Sequence, residues 1–148
     1  VGMKQTADEL IRTVEDAAGF LKRIPESKAS QSPLPAGWSR IQILGHLIDS
    51  ASNNHQRFVR ALKVSALEFP KYEQDQWVEL QNYKNAPWPE LVDLWRLYNR
   101  HLARIIESVP ADKLETSCKI GPSEPMTLRE LIEDYLRHLK HHVTQLQG

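Results

Sequence analysis

The stretch Thr127-Leu128-Arg129-Glu130-Leu131-Ile132-Glu133-Asp134-Tyr135-Leu136-Arg137-His138-Leu139-Lys140-His141-His142-Val143-Thr144-Gln145-Leu146 reads as one amphipathic helix. Leu128, Leu131, Ile132, Tyr135, Leu139, His142 and Leu146 recur at three-and-four spacing, the period of a single helix face. Thr127 as N-cap with Glu130 three residues into the helix forms a capping box, which fixes where the helix starts. Three more segments upstream repeat this pattern. Leu10, Ile11, Val14, Ala17, Ala18, Leu21 and Ile24 form one stripe, ended by Pro25. Leu44, Leu47, Ile48, Ala51, His55, Phe58, Val59 and Leu62 form a second, opened by the capping box Ser39-Arg40-Ile41-Gln42. Leu91, Leu94, Trp95, Tyr98, Leu102, Ile105 and Ile106 form a third, between Pro87-Trp88-Pro89 and Pro110. No segment alternates as a strand would, and no internal repeat is present. The expected fold is all-α, a four-helix bundle.

The links complete this outline. A Ser- and Pro-rich loop is expected from Glu26 to Gly37, and an irregular link from Ala111 to Met126. The connection Lys63 to Ala86 is too long for a simple loop, so a short helix is expected inside it over Glu73 to Tyr83. Tyr72, Trp77 and Tyr83 either pack this crossover onto the bundle or wall a pocket. Trp38 reads as a packing anchor ahead of the second helix.

Length and charge exclude several classes of function. At 148 residues and 17.1 kDa the chain suits one domain, residues 1–148. Apolar residues make up 41% of it, enough for a real core, so disorder is not expected. Lys plus Arg equals Asp plus Glu at 19 each, which gives no electrostatic footprint for nucleic acid. No apolar run nears the ~20 residues of a membrane span. The only cysteine, Cys118, cannot form an intrachain disulfide and fits a reducing compartment. Next to Lys119 in a polar link, it is expected to be an inert thiol. Met3 reads as the native start, with no hydrophobic signal ahead of it, and a cytoplasmic location is expected.

The histidines carry the chemistry. Of six, His138 and His142 stand one turn apart on one helix face, a spacing that lets two imidazoles share a metal. At about 100° per residue His142 lies roughly 40° from the apolar stripe's centre and His138 roughly 80°, while His141 falls roughly 140° away. The bland alternative is a core histidine beside a rim histidine, both inert. Spacing and helical phase leave a third ligand open between His46 and His101. His46 lies opposite its helix's stripe with Asp49, Ser50 and Asn53, where a solvated face is the plain expectation. His55, in mid-stripe, reads as a satisfied core histidine.

Gly37-Trp38-Ser39 leading into Gly45-His46-Leu47-Ile48-Asp49-Ser50 resembles the DinB superfamily, and so does the ending His138-Leu139-Lys140-His141-His142-Val143-Thr144-Gln145. The likeness is strongest to its YfiT branch of metal-dependent hydrolases and bacillithiol S-transferases. Pro70, Tyr72, Trp77 and the Trp88-Pro89-Glu90-Leu91 entry to the third helix follow the same branch. The resemblance implies a divalent metal, zinc or nickel, on His46, His138 and His142. It implies a small-molecule substrate, with water or a low-molecular-weight thiol activated on the metal as nucleophile, and a homodimer. A non-catalytic bundle that holds metal and ligand is the alternative. Gln145 and Asp49 are the candidates for supporting the site, and Asp134 for orienting His138; for either Asp a solvated helix face is the plainer expectation. Gly45 and Gln145 stand where the nearest relatives are expected to carry further histidines.

That triad constrains topology. His46 opens the second helix and His142 closes the fourth, so these helices must be antiparallel. The second helix, about 23 residues, is roughly 35 Å long. The crossover, about 24 residues with a reach of up to about 3.3 Å each, can return along it. The expected order is up-down-down-up.

Overall fold

In the computed structural model, which describes residues 2–148, four long helices form the bundle. They are α1 (Lys4–Lys22), α3 (Arg40–Ala61), α5 (Trp88–Glu107) and α6 (Leu128–Gln147). Between them lie a single helical turn, α2 (Glu26–Ala29), inside the expected loop, and α4 (Gln74–Leu80) inside the crossover. A 3-10 turn, Tyr83–Asn85, follows α4. Both expected capping boxes are formed. Ser39 Oγ accepts from the Gln42 amide while the Gln42 side chain accepts from the Ser39 amide, and Thr127 and Glu130 repeat the exchange. Ser39→Ala should lower stability by about 1 kcal/mol, read as a shift in the urea midpoint.

Contacts between helix ends set the directions. Trp88 Nε1, at the start of α5, donates to the Leu21 carbonyl at the end of α1 (2.8 Å), so these two helices are antiparallel. Arg40 Nε, at the start of α3, donates to the Leu146 carbonyl at the end of α6 (3.3 Å), which makes this pair antiparallel as well. Tyr83, just before α5, packs against Gly45 near the start of α3, and His55 meets Tyr98 and His101 farther along. Helices α3 and α5 therefore run parallel, as the long crossover requires. The order is up-down-down-up.

Strands were not expected, and this part of the reading is corrected. The crossover carries β1 (Ala66–Phe69), and the Ala111–Met126 link carries β2 (Ser117–Ile120) and, with Thr127, β3 (Met126–Thr127). β1 pairs parallel with β2, and β2 antiparallel with β3. Four, four and two residues are too few for alternation to register, and β1 finds its partner some fifty residues away. Cys118 is accordingly fully buried in β2 beside Leu67 and Met126, not in a polar link. Burial pushes its thiol pKa up, which keeps it inert.

The core holds Leu10, Leu21, Leu44, Phe58, Trp88 and Trp95, each almost wholly buried. Val59 and Leu94, both counted on stripes, are instead exposed. Tyr135 donates to Asn99 Oδ1 inside this core (2.5 Å), and Asn99 Nδ2 donates in turn to the Trp95 carbonyl.

Candidate metal site

Helices α3 and α6 bring three histidines together. The Nε2 atoms of His46 and His138 lie 3.4 Å apart, and those of His138 and His142 3.2 Å apart. One ligand atom from each of the three lies within 4.8 Å of the others, which forms the only group of three or more potential metal ligands among the described residues. His101 is exposed and lies instead beside His55, whose Nδ1 bonds the Tyr98 hydroxyl at 2.8 Å. His55 is half-buried but satisfied, as expected. His141 is exposed, as the helical phase predicts.

His46 departs from the solvated face expected for it: it is 1% exposed. Helix α3 is covered on two sides, by α6 and by the crossover, so the side opposite its apolar stripe is buried too. The Trp38 ring sits 5.0 Å from the His46 ring, so this tryptophan anchors the His46 side chain as well as the helix entry. His46 Nδ1 is buried without a hydrogen-bond partner, so on that side packing alone holds the ring.

All three imidazoles are kept neutral. Burial, with smaller repulsion from His142 and His138, pushes His46 down to about 3. Burial also lowers His138 and His142, and for His142 the bond to Gln145 opposes the shift. In the metal-free protein the unfolded chain then takes up a proton on residue 46 near pH 6.5 while the folded one does not. Between about 3 and 6.5 the unfolded state binds more protons, so stability falls as pH falls through that window. Asp49, whose pKa is raised by burial, opposes this slope. Urea midpoints of chelator-treated protein should drop from pH 7 to pH 5, and drop less in His46→Gln.

The donor set fits a cation. His142 Nδ1 donates to Gln145 Oε1 (2.8 Å), which leaves its Nε2 as a bare lone pair. A proton on His138 Nε2 can bridge to that lone pair, but His46 Nε2 then faces no complementary partner. A divalent ion satisfies all three at once. Three corners of a tetrahedron with metal–nitrogen bonds of about 2.0–2.1 Å stand roughly 3.3 Å apart, close to both observed spacings.

Asp49 and Asp134 do not support the histidines directly. Asp134 is exposed and lies 3.6 Å from Arg137. Asp49, expected on a solvated face, is 1% exposed. Its Oδ1 accepts from the Tyr83 hydroxyl (2.7 Å) and from Gln81 Nε2 (2.8 Å), which ties the crossover to α3. Burial raises its pKa, and these two hydrogen bonds counter part of that rise. Sequence reasoning missed this tie because Tyr83 and Gln81 are more than thirty residues away, with no pattern linking them to Asp49.

A cavity of about 650 Å³ opens from His138 along the groove between α3 and α6. Ser50, Asn54 and Arg57 line it from α3, and Tyr72 belongs to the crossover segment that roofs it. Of the two roles considered for it, Tyr72 takes the pocket wall; its ring also stacks on Trp77 within the same crossover, with centroids 5.1 Å apart. A second hollow of about 770 Å³, also bordered by Tyr72, touches none of the three histidines.

Comparison with known proteins fits this arrangement. A family model described as DinB superfamily matches residues 9–146. The chain belongs to the DinB superfamily. It is 27% identical to "Putative metal-dependent hydrolase YfiT" of Bacillus subtilis, over 97% of this chain and 83% of that one. A Bacillus mycoides relative also named a "Putative metal-dependent hydrolase" is 28% identical, over 97% and 84%. The solved structure of YfiT, described as having an unusual four-helix bundle topology, superposes with a TM-score of 0.80 at 22% identity, covering 97% of this chain and 85% of that one. A mycothiol-dependent maleylpyruvate isomerase shares the fold at a TM-score of 0.72 and 12% identity, covering 95% and 60%. No described helix of this superfamily member is long and apolar enough to cross a membrane.

Proposed function

We propose that the chain is a metal-dependent hydrolase of small molecules, with His46, His138 and His142 as the ligands of one divalent ion. The observation that carries this reading is the convergence of three imidazole Nε2 atoms, with His138 among them lining a cavity. Three imidazoles without thiolate or carboxylate suit zinc or nickel. Such an ion, when bound, supplies Lewis acidity at its open positions and makes water or a small thiol nucleophilic at neutral pH.

The chain's own residues prepare the site. Burial keeps the three rings unprotonated, so no proton competes with the ion near pH 7. Gln145 fixes the tautomer of His142 by accepting from Nδ1. Gln145→Leu should weaken metal affinity about 10–100-fold, measured by competition with a chromogenic chelator. Trp38 packs on His46, and the groove beside His138 admits the substrate. A lone buried thiol at Cys118 suits a reducing, cytoplasmic setting.

Hydrolysis and thiol transfer would share this site, and one experiment separates them. Metal-loaded protein is assayed on p-nitrophenyl esters and anilides without thiol, then on an activated aryl chloride with and without cysteine. Turnover without thiol, abolished by chelation and by His142→Ala, is the expected result. Turnover only when cysteine is supplied would make the protein an S-transferase. Chelation-sensitive binding with no product in either format would overturn the enzyme reading in favour of a binding module.

A further inference from the structure

The groove beside the histidines has a far end with chemistry of its own. On α3, Ser50, Asn54 and Arg57 follow at four- and three-residue spacing and form one stripe along its wall. On α6, His138, Tyr135 and Leu131 form the facing wall. The helices are antiparallel, so His138 marks one end of the groove, and Leu131 with Arg57 the other. Seven residues of helix separate His138 from Leu131, about 10 Å of rise.

Arg57 is the unexplained group at that far end. Its Nε is buried and has no hydrogen-bond partner. Its Nη1 reaches only the Asn54 amide oxygen, at a long 3.5 Å. No carboxylate of the described residues lies within 4.0 Å of the guanidinium, although most of the ion-paired arginines and lysines find theirs on the surface. The Phe69 ring, 5.8 Å from the guanidinium carbon, adds a weak cation–π contact. Burial lowers the pKa of Arg57, a sign that its charge is poorly solvated where it stands. Glu73, Asp75 and Asp134 border the same groove, but all three are exposed and none pairs with Arg57.

A half-buried guanidinium whose Nε is shut off from water and that has no anion beside it is poorly satisfied, and its rigid fork matches a carboxylate in two parallel hydrogen bonds. We propose that the groove receives a small molecule with a carboxylate at one end, that Arg57 binds this carboxylate, and that the reacting group lies about 10 Å away at His138. Ser50, whose Oγ and carbonyl accept from Asn54 Nδ2, keeps its hydroxyl proton to donate to the polar chain between. This assignment rests on the groove being the substrate cavity of the three-histidine site. The anion subsite itself needs no metal, so it can be tested apart from that reading.

The probe is N-acetyl-glycyl-glycine, a polar carboxylate that fits the groove length, compared with its C-terminal amide. Both are titrated into chelator-treated protein while the Arg57 Nε–Hε signal is followed by nitrogen-15 NMR. The expected result is a saturable shift of the Arg57 signal by the carboxylate, with at least tenfold weaker binding of the amide. Arg57→Met should abolish that preference, and Arg57→Lys should retain part of it. An Arg57 signal that does not move, or that moves equally with the amide, would overturn the carboxylate subsite. Carboxylate binding at Arg57 in a protein that takes up no metal would instead uphold the subsite and refute the metal reading.

Discussion

His138→Ala should leave a folded bundle that holds no metal and turns over no substrate. His138 is the central member of the triad, since its Nε2 is the atom both neighbours approach, at 3.4 and 3.2 Å. The ring is half-buried at the cavity head, so truncation opens space to solvent and should cost no more than about 1–2 kcal/mol of stability. Helical circular dichroism should therefore match the parent. Activity should fall at least about a thousandfold, because the proposed reaction would lose its Lewis acid and not merely a contact. Parent-like turnover in the metal-free variant would place the chemistry elsewhere.

Gly45→His should be the most destabilising change near the site. A Cβ at residue 45 would stand 2.3 Å from Tyr83 Cδ2 and 2.5 Å from Cγ. That ring cannot simply swing away: it is buried, and its hydroxyl is bonded to Asp49. Either the phenol leaves and Asp49 loses a hydrogen bond, or α3 shifts. Forcing a side chain into such a space costs about 1–3 kcal/mol, and a buried carboxylate losing its donor adds a similar amount. For a chain of this size the melting temperature should drop by about 5–15 °C. Gly45→Ala, which also brings the Cβ, should show most of the effect. A melting temperature unchanged in Gly45→Ala would show that Tyr83 does not hold the crossover there. The same contact gives a physical reason for glycine at a place where the family resemblance suggests a histidine: Tyr83 already fills the space.

The helices and their caps were legible in the sequence, because Ser39 with Gln42 and Thr127 with Glu130 signal locally and the stripes repeat for many turns. Helix directions were legible only through the triad that the family resemblance supplied. The strands were not, since four residues of β1 and four of β2 stabilise each other only across the molecule. Within the site, the phase of α6 separated His142 from His141 correctly. The phase of α3 misled for His46 and Asp49, because a periodic pattern shows which face meets the bundle core and nothing of a crossover that covers the opposite face. Arg57 carried no sequence signal at all: an arginine on a polar helix face looks the same whether it meets water or a groove.

The most direct test of the account is the number of metal ions per chain, determined by native mass spectrometry after loading with zinc or nickel and desalting. One ion per chain is expected in the parent and in His141→Ala, and none in His46→Ala, His138→Ala or His142→Ala. Retention of the ion in any of those three, or its equal loss in His141→Ala, would contradict it.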